Sequence, residues 1–70
     1  MTTATGMLTS SSNLTTQWPA SEKTIVACVV PGFVCIPWVY DTTWIIKVLN
    51  NDLSPWGNRN VTVTVYYQDK

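Results

Sequence analysis

Histidine is absent from the 70 residues of this chain, and only four acidic residues accompany four basic ones. General acid–base catalysis needs positioned titratable groups, but Glu22 and the three aspartates show no spacing that would pair two carboxylates. The two cysteines have no candidate base beside them, and three glycines are too few for a phosphate-binding loop. We therefore expect a protein that is not an enzyme and that needs no cofactor.

The chain also has no excess of charge of either sign, since its formal net charge is zero. Neutralising phosphates requires a basic surface, so nucleic acid is not an expected partner. Without histidine, two thiols complete no zinc ligand set, and we expect no metal site. A neutral surface lacks the repulsion that keeps copies apart, and a chain this short buries only about 60% of its unfolded surface. Both properties favour association with further copies.

Long apolar runs are missing as well. The longest, Ile25 to Val30, is followed by Pro31 and Gly32, whereas a membrane-spanning helix needs about 20 apolar residues. The first residues lack the basic region and the apolar block of a secretory signal, so either none is needed or it had been removed. We expect no membrane span.

From Thr24 onward the sequence is rich in Val, Ile, Trp, Tyr and Thr, which is typical of β-strands. The clearest strand is the last, where Val61, Val63 and Val65 alternate with threonines. The segment from Asn50 to Asn60 concentrates turn-forming residues and is predicted to be a loop. The pattern predicts an all-β fold, a small jelly-roll or immunoglobulin-like sandwich of about four to five strands, at 24–30, 33–36, 38–40, 44–49 and 61–67.

The N-terminal residues 1–21 are rich in Thr and Ser and contain no charged residue. A solvated tail normally carries charge, and here Leu14, Thr16 and Trp18 alternate with Thr15 and Gln17 as in a half-buried strand. We interpret residues 1–21 as an extended arm and residues 22–70 as a sandwich core. The arm would complete a neighbouring subunit, with Leu14, Thr16 and Trp18 in the contact.

The strand at 44–49 has apolar residues on both faces. Trp44, Ile46 and Val48 share the face predicted to line the core. The opposite face carries Ile45, Lys47 and Leu49, which we expect to contact a neighbouring subunit. Four or five strands cannot close a barrel or cover this second face. We therefore expect neighbouring copies, or the arm, to cover both the face and the open sheet edges.

Cys28 and Cys35 flank the sequence Pro31-Gly32. If these two residues form a hairpin turn, the cysteines face each other in an antiparallel ladder, within disulfide range. However, a type II Pro-Gly turn splays strands and fits hairpins poorly. An internal disulfide, a bridge between subunits and buried free thiols all remain open for this pair.

Aromatic residues are unusually placed at Trp38, Tyr40 and Trp56, next to prolines or predicted turns. Exposed indoles suit a protein interface or the stacking of sugar rings. The alternative for Trp56 is that it folds back to cover a small core. A glycan is therefore a second, less favoured candidate partner.

Three short stretches resemble a known family. Lys23-Thr24-Ile25-Val26, Val34-Cys35-Ile36 and Trp38 are similar to the small β-rich subunits of bacterial endospore appendages, the Ena family. The resemblance implies a jelly-roll-like subunit whose N-terminal extension docks into subunits further along a helical fibre, at an extracellular, cell or spore surface and without a signal peptide. Members can carry cross-linking cysteines in the extension, whereas residues 1–21 have none, so covalent cross-linking through the arm is not implied.

Together these features predict a structural subunit that assembles noncovalently with copies of itself into a helical fibre, by pairing of an extended segment with an open sheet edge. Two other hypotheses are a small carbohydrate-binding module and a virion or phage surface component. The sequence does not separate the fibre from the virion component, because both require a neutral, self-associating β-rich chain.

Overall fold

The computed structural model describes residues 2–70, and they form six strands: Thr2–Met7 (β1), Asn13–Pro19 (β2), Lys23–Val29 (β3), Val34–Tyr40 (β4), Thr43–Leu49 (β5) and Asn60–Asp69 (β6). None of these residues is helical, and none could therefore form a membrane-crossing helix. The all-β prediction is confirmed. The predicted number of strands was too low, because β1 and the full length of β2 were not recognised.

The strands form two three-stranded antiparallel sheets. Sheet A has the order β1-β6-β3, and sheet B has the order β2-β5-β4. β1 lies beside β2 and β3 lies beside β4, so the two sheets face each other with β6 and β5 in the middle. Four strands are consequently edge strands, each hydrogen-bonded to a single neighbour.

The core lies between the sheets and is built from alternate residues of the central strands. Val63 and Val65 of β6, and Ile46 and Val48 of β5, are fully buried. This confirms the predicted core faces of both strands, because the period of two sends every second side chain inward. The remaining core residues are Leu8, Leu14, Ile25, Val30 and Val61.

The segment predicted to be an arm pairs with its own chain in this structure. β1 is hydrogen-bonded to β6 in a register from Thr2↔Val65 to Met7↔Asn60, and β2 pairs with β5. Leu8 and Leu14 lie in the core, and Ser12, which comes between them in the sequence, is also fully buried. Residues 2–19 thus supply both edge strands on one side of the two-sheet body.

Strand β4 runs through Pro37, where the sequence pattern had predicted a break. That prediction was wrong, because β4 is an edge strand and hydrogen-bonds only to β5. Proline has no N–H to donate, and an edge strand tolerates this when that position faces away from the ladder.

The turn after β3 explains why consecutive strands enter different sheets. Phe33 N donates to Val30 O at 3.0 Å, and Gly32 has a φ of 84°. Pro31 followed by a residue with positive φ defines a type II turn, which splays its flanking strands. The predicted turn is therefore present, but β3 and β4 do not form the hairpin ladder considered from the sequence.

Candidate functional site

The side of the molecule formed by β1 and β2 carries a groove. A groove of about 190 Å³ lies between these strands and is lined by Thr3, Thr5, Leu14 and Thr16, with Trp18 at one end. At the other end the strands approach closely, because a Cβ on Gly6 would lie 2.8 Å from Leu14 Cδ1. Both strands present unpaired backbone groups along this side, the feature that permits strand addition.

The three arm residues predicted to contact a neighbouring subunit, Leu14, Thr16 and Trp18, pack against their own chain and differ in burial. Leu14 is buried in the core. The hydroxyl of Thr16 is also buried and donates to Trp44 O at 2.7 Å, while Trp18 N donates to Thr16 Oγ1 at 3.2 Å. Trp18 is half-buried with its ring centroid 5.9 Å from that of Tyr67. All three therefore anchor the N-terminal segment on the body of the fold.

The connection from β2 to β3 consists of residues 20–22 only. It forms a turn in which Glu22 N donates to Pro19 O at 3.1 Å, and Ala20 N donates to Thr42 O at 2.8 Å. Immediately beyond it, the indole Nε1 of Trp44 donates to Lys23 O at 2.8 Å. This short turn is the only covalent link between residues 2–19 and residues 23–70, and we call it the hinge.

The turn between β1 and β2 is held by the long loop after β5. Leu8 N donates to Arg59 O at 2.8 Å, and the buried Ser12 hydroxyl accepts a hydrogen bond from Trp56 N. Gly57 packs directly on the backbone of Thr9, where an added Cβ would collide with the carbonyl oxygen. The N-terminal segment is thus held by side chains and backbone along its whole length.

The outer face of sheet B carries the residues predicted to need covering. Ile45, Lys47 and Leu49 point away from the core, since Ile46 and Val48 point into it. Ile45 is only 7% exposed because its register partners Trp38 and Thr15 flank it. Lys47 Nζ lies 3.4 Å from Ser11 O.

Strand β4 extends this outer face with further apolar side chains. Ile36 is 43% exposed and Tyr40 is 65% exposed, and the rings of Trp38 and Tyr40 meet edge to face at 5.8 Å. Two polar atoms of the face, Trp38 Nε1 and Asn13 Oδ1, are buried without a hydrogen-bond partner among residues 2–70. Buried polar groups are normally satisfied, so this donor and this acceptor are two exceptions within the face. We call Ile36, Trp38, Tyr40, Ile45 and Leu49 the outer apolar face.

Trp56 occupies a different place from the other two predicted aromatic contacts. Its ring stacks on Phe33 with centroids 4.0 Å apart and packs against the core, and the Arg59 guanidinium lies 5.5 Å from its centroid. Trp56 covers the end of the core, while Trp38 and Tyr40 lie on the outer apolar face.

The two cysteines lie in opposite sheets and meet at the side formed by β3 and β4. Cys28 is in register with Val65, and Cys35 is in register with Val48, so both point towards the core. The Cys35 thiol donates to Cys28 Sγ at 2.9 Å, and both are half-buried free thiols. This contact lowers the pKa of Cys28 and, with burial, raises the pKa of Cys35. Sequence reasoning found the pair, although through a hairpin that does not form.

Charged groups contribute little to these surfaces. Lys23 Nζ lies 2.7 Å from Asp69 Oδ1 in an exposed ion pair, and this hydrogen bond raises the pKa of Lys23. Asp52 accepts hydrogen bonds from the hydroxyl and the backbone N–H of Ser54, which lower its pKa. Among residues 2–70 there is no cluster of three or more potential metal ligands.

No protein-family model, curated protein or solved structure matches this chain significantly. The resemblance to the Ena subunits therefore stays a prediction.

Proposed function

We propose that this protein is a structural subunit that polymerises noncovalently into a helical surface fibre by exchanging residues 2–19 between copies. The observation that carries the proposal is the position of this segment. It supplies two edge strands and the core residues Leu8 and Leu14, yet its covalent connection to the other strands is the hinge alone. Every copy carries the same segment and the same acceptor surface, so exchange between copies reproduces each pairing.

Exchange in one direction produces a polymer. If each copy gives residues 2–19 to the next, the contact is head-to-tail, and such contacts form open helical filaments unless the rotation closes a ring. The donated β1 and β2 would add strands to sheets A and B of the acceptor, which is strand augmentation on two sheets at once. The hold is noncovalent, because the segment contains no cysteine.

The outer apolar face supports a second contact between neighbouring subunits. Its exposed Ile36 and Tyr40 surround the half-buried Trp38, and aromatic anchors of this kind dominate protein interfaces. A covering subunit could supply an acceptor for Trp38 Nε1 and a donor for Asn13 Oδ1. Formal neutrality means that no net repulsion opposes this packing.

Beyond two packed antiparallel sheets, the strand order favours a more specific fold, a small jelly roll. β1 pairs with β6 and β2 pairs with β5, so the first strands pair with the last ones, as when a long antiparallel ribbon wraps around a core. Jelly rolls are common in viral capsid and lectin domains. This strand order keeps the virion surface component as a second candidate, and the aromatic pair Trp38 and Tyr40 keeps a glycan-binding surface as the third.

The test uses the length of the hinge. Deleting Ala20 and Ser21 removes the turn that returns residues 2–19 to their own chain, so the segment can pair only with another copy. Inserting four Gly/Ser residues after Ser21 relaxes the hinge and favours closure within one chain. Sedimentation and negative-stain microscopy at micromolar concentration should show longer assemblies for the deletion and monomers for the insertion.

The matched control inserts the same four residues after Asp52, in the exposed loop before β6. Circular dichroism checks that each variant keeps its β-structure. Equal assembly of the deletion and the insertion variants, with both folded, would contradict exchange through the hinge. Discrete closed shells or rings would favour the virion component, and a monomer whose Trp fluorescence responds to a glycan would favour the binding module.

A further inference from the structure

The proposed assembly does not involve Cys28 and Cys35, whose thiols are in contact. The residues flank a type II turn at equal distances and enter different sheets, yet their sulfur atoms lie 2.9 Å apart. Neither cysteine belongs to residues 2–19 or to the outer apolar face. The pair joins β3 to β4, at the side of the molecule opposite the groove between β1 and β2.

We propose that Cys28 and Cys35 are an oxidation site at which a small-molecule disulfide, such as oxidised glutathione, forms one intrachain disulfide between the two sheets. Three features of the pair carry this inference: the sulfurs are in contact, both thiols are free, and both are partly accessible from the β3–β4 side. The two side chains already meet across the turn, since their sulfurs are 2.9 Å apart.

The chemistry proceeds by two thiol–disulfide exchanges. The Cys28 thiolate attacks one sulfur of the external disulfide, forming a mixed disulfide and releasing one external thiolate. The Cys35 thiolate then attacks Cys28 Sγ, which releases the second external thiol. The protein loses two electrons and two protons, the external disulfide gains them, and the products are one protein disulfide and two small-molecule thiols.

The order of attack follows from the direction of the contact. Cys35 donates its S–H to Cys28 Sγ, which stabilises a thiolate at Cys28 and lowers the pKa of that residue. The same contact, together with burial, raises the pKa of Cys35. Thiolates are the attacking species, so this arrangement favours Cys28 as the entry point, with Cys35 as the resolving thiol.

An intrachain bridge has a consequence for the polymer. Because both sulfurs belong to one chain, oxidation would leave the subunits separable in denaturant without reductant. A disulfide between subunits would instead give ladders that only a reductant removes.

The experiment treats the reduced full-length protein with oxidised glutathione and follows the intact mass. We expect loss of two hydrogens per chain without covalent dimers, and a peptide linking Cys28 to Cys35. The Cys35→Ser variant lacks the resolving thiol, so it should accumulate a stable glutathione adduct at Cys28. Circular dichroism confirms that each variant is folded, and Cys→Ala variants replace any serine variant that is not.

Two results would overturn the proposal. These are covalent dimers as the main oxidised product and the absence of any disulfide in the folded protein. Failure of fibre assembly would leave the oxidation result unaffected, because the measurement reads chain mass and not polymer length.

Discussion

Oxidation of Cys28 and Cys35 should raise the free energy of unfolding by a predictable amount. The cysteines are separated by seven positions, so the disulfide closes a loop of about eight residues. The loss of chain entropy in the unfolded state for a loop of this length corresponds to about 2.5 kcal/mol at 25 °C. A chain of this size has a total stability on the order of 4–10 kcal/mol, so the increment is a large fraction.

The assay is thermal unfolding of the oxidised and the reduced protein, followed by circular dichroism. For a domain of this size, about 1 kcal/mol moves Tm by roughly 4–8 °C, so we expect a rise of about 10–20 °C on oxidation. Because self-association also raises Tm, the comparison is made over a series of protein concentrations and extrapolated to dilution. The Cys28→Ser/Cys35→Ser double variant, treated with the same oxidant, should show no change.

A fully oxidised protein whose Tm rises by less than about 3 °C, or falls, would refute this reasoning. Such a result would mean that the bridged sheets are strained, so that the native state is destabilised as much as the unfolded state. The contact between the sulfurs would then not represent a geometry suited to a disulfide.

Further predictions concern the fold around the surfaces. Ile46→Ala, at a fully buried position, should lower the free energy of unfolding by about 2–5 kcal/mol in chemical denaturation; the exposed Ile36→Ala is the matched control and should cost far less. Gly57→Ala should destabilise by about 1–3 kcal/mol, because the new methyl group meets the carbonyl of Thr9. Trp44→Phe removes the indole donor to the carbonyl at the start of β3 and should cost about 1–3 kcal/mol. An unchanged denaturation midpoint for any of the three would contradict the packing on which it rests.

Alternation of side chains made the central strands predictable. Val61, Val63 and Val65 alternate with threonines, and a strand with one buried face shows this period directly. The paired apolar faces of β5 were equally visible, because Ile45 and Ile46 are adjacent and must point to opposite sides. Local sequence carries this information because side-chain direction depends only on the position along the strand.

The two N-terminal edge strands were less predictable, because β1 and β2 carry less apolar sequence than the other strands. β1 reads Thr-Thr-Ala-Thr-Gly-Met, which has no apolar stripe to reveal it, and it is fixed by pairing with a strand near the opposite end of the chain. Pro37 signals a break in most strands, but the backbone around it needed no hydrogen bond on that side.

The sequence predicted that the two cysteines could lie close together, but it did not predict the sheets to which their strands belong. Equal spacing from the turn at Pro31 and Gly32 brought Cys28 and Cys35 together in either arrangement. Whether β3 and β4 pair in one sheet or separate into two depends on the partners available in β5 and β6, which lie far along the chain. Residues 23–40 alone therefore do not show which strands β3 and β4 will pair with.

The most direct measurement of exchange is a cross-link between β1 of one copy and β6 of another. Thr5 and Thr62 are register partners with exposed hydroxyls 3.3 Å apart, so cysteines at these positions lie within disulfide range. Thr5→Cys and Thr62→Cys are placed in separate chains, each with Cys28→Ser and Cys35→Ser, then unfolded, mixed, refolded and oxidised.

Exchange of residues 2–19 predicts covalent heterodimers joined at these positions as the main covalent product, identified by peptide mass. A control chain carrying both cysteines reports the pairing within one copy. If the mixed chains stay monomeric while the control chain cross-links internally, residues 2–19 remain in their own chain and the exchange account is contradicted.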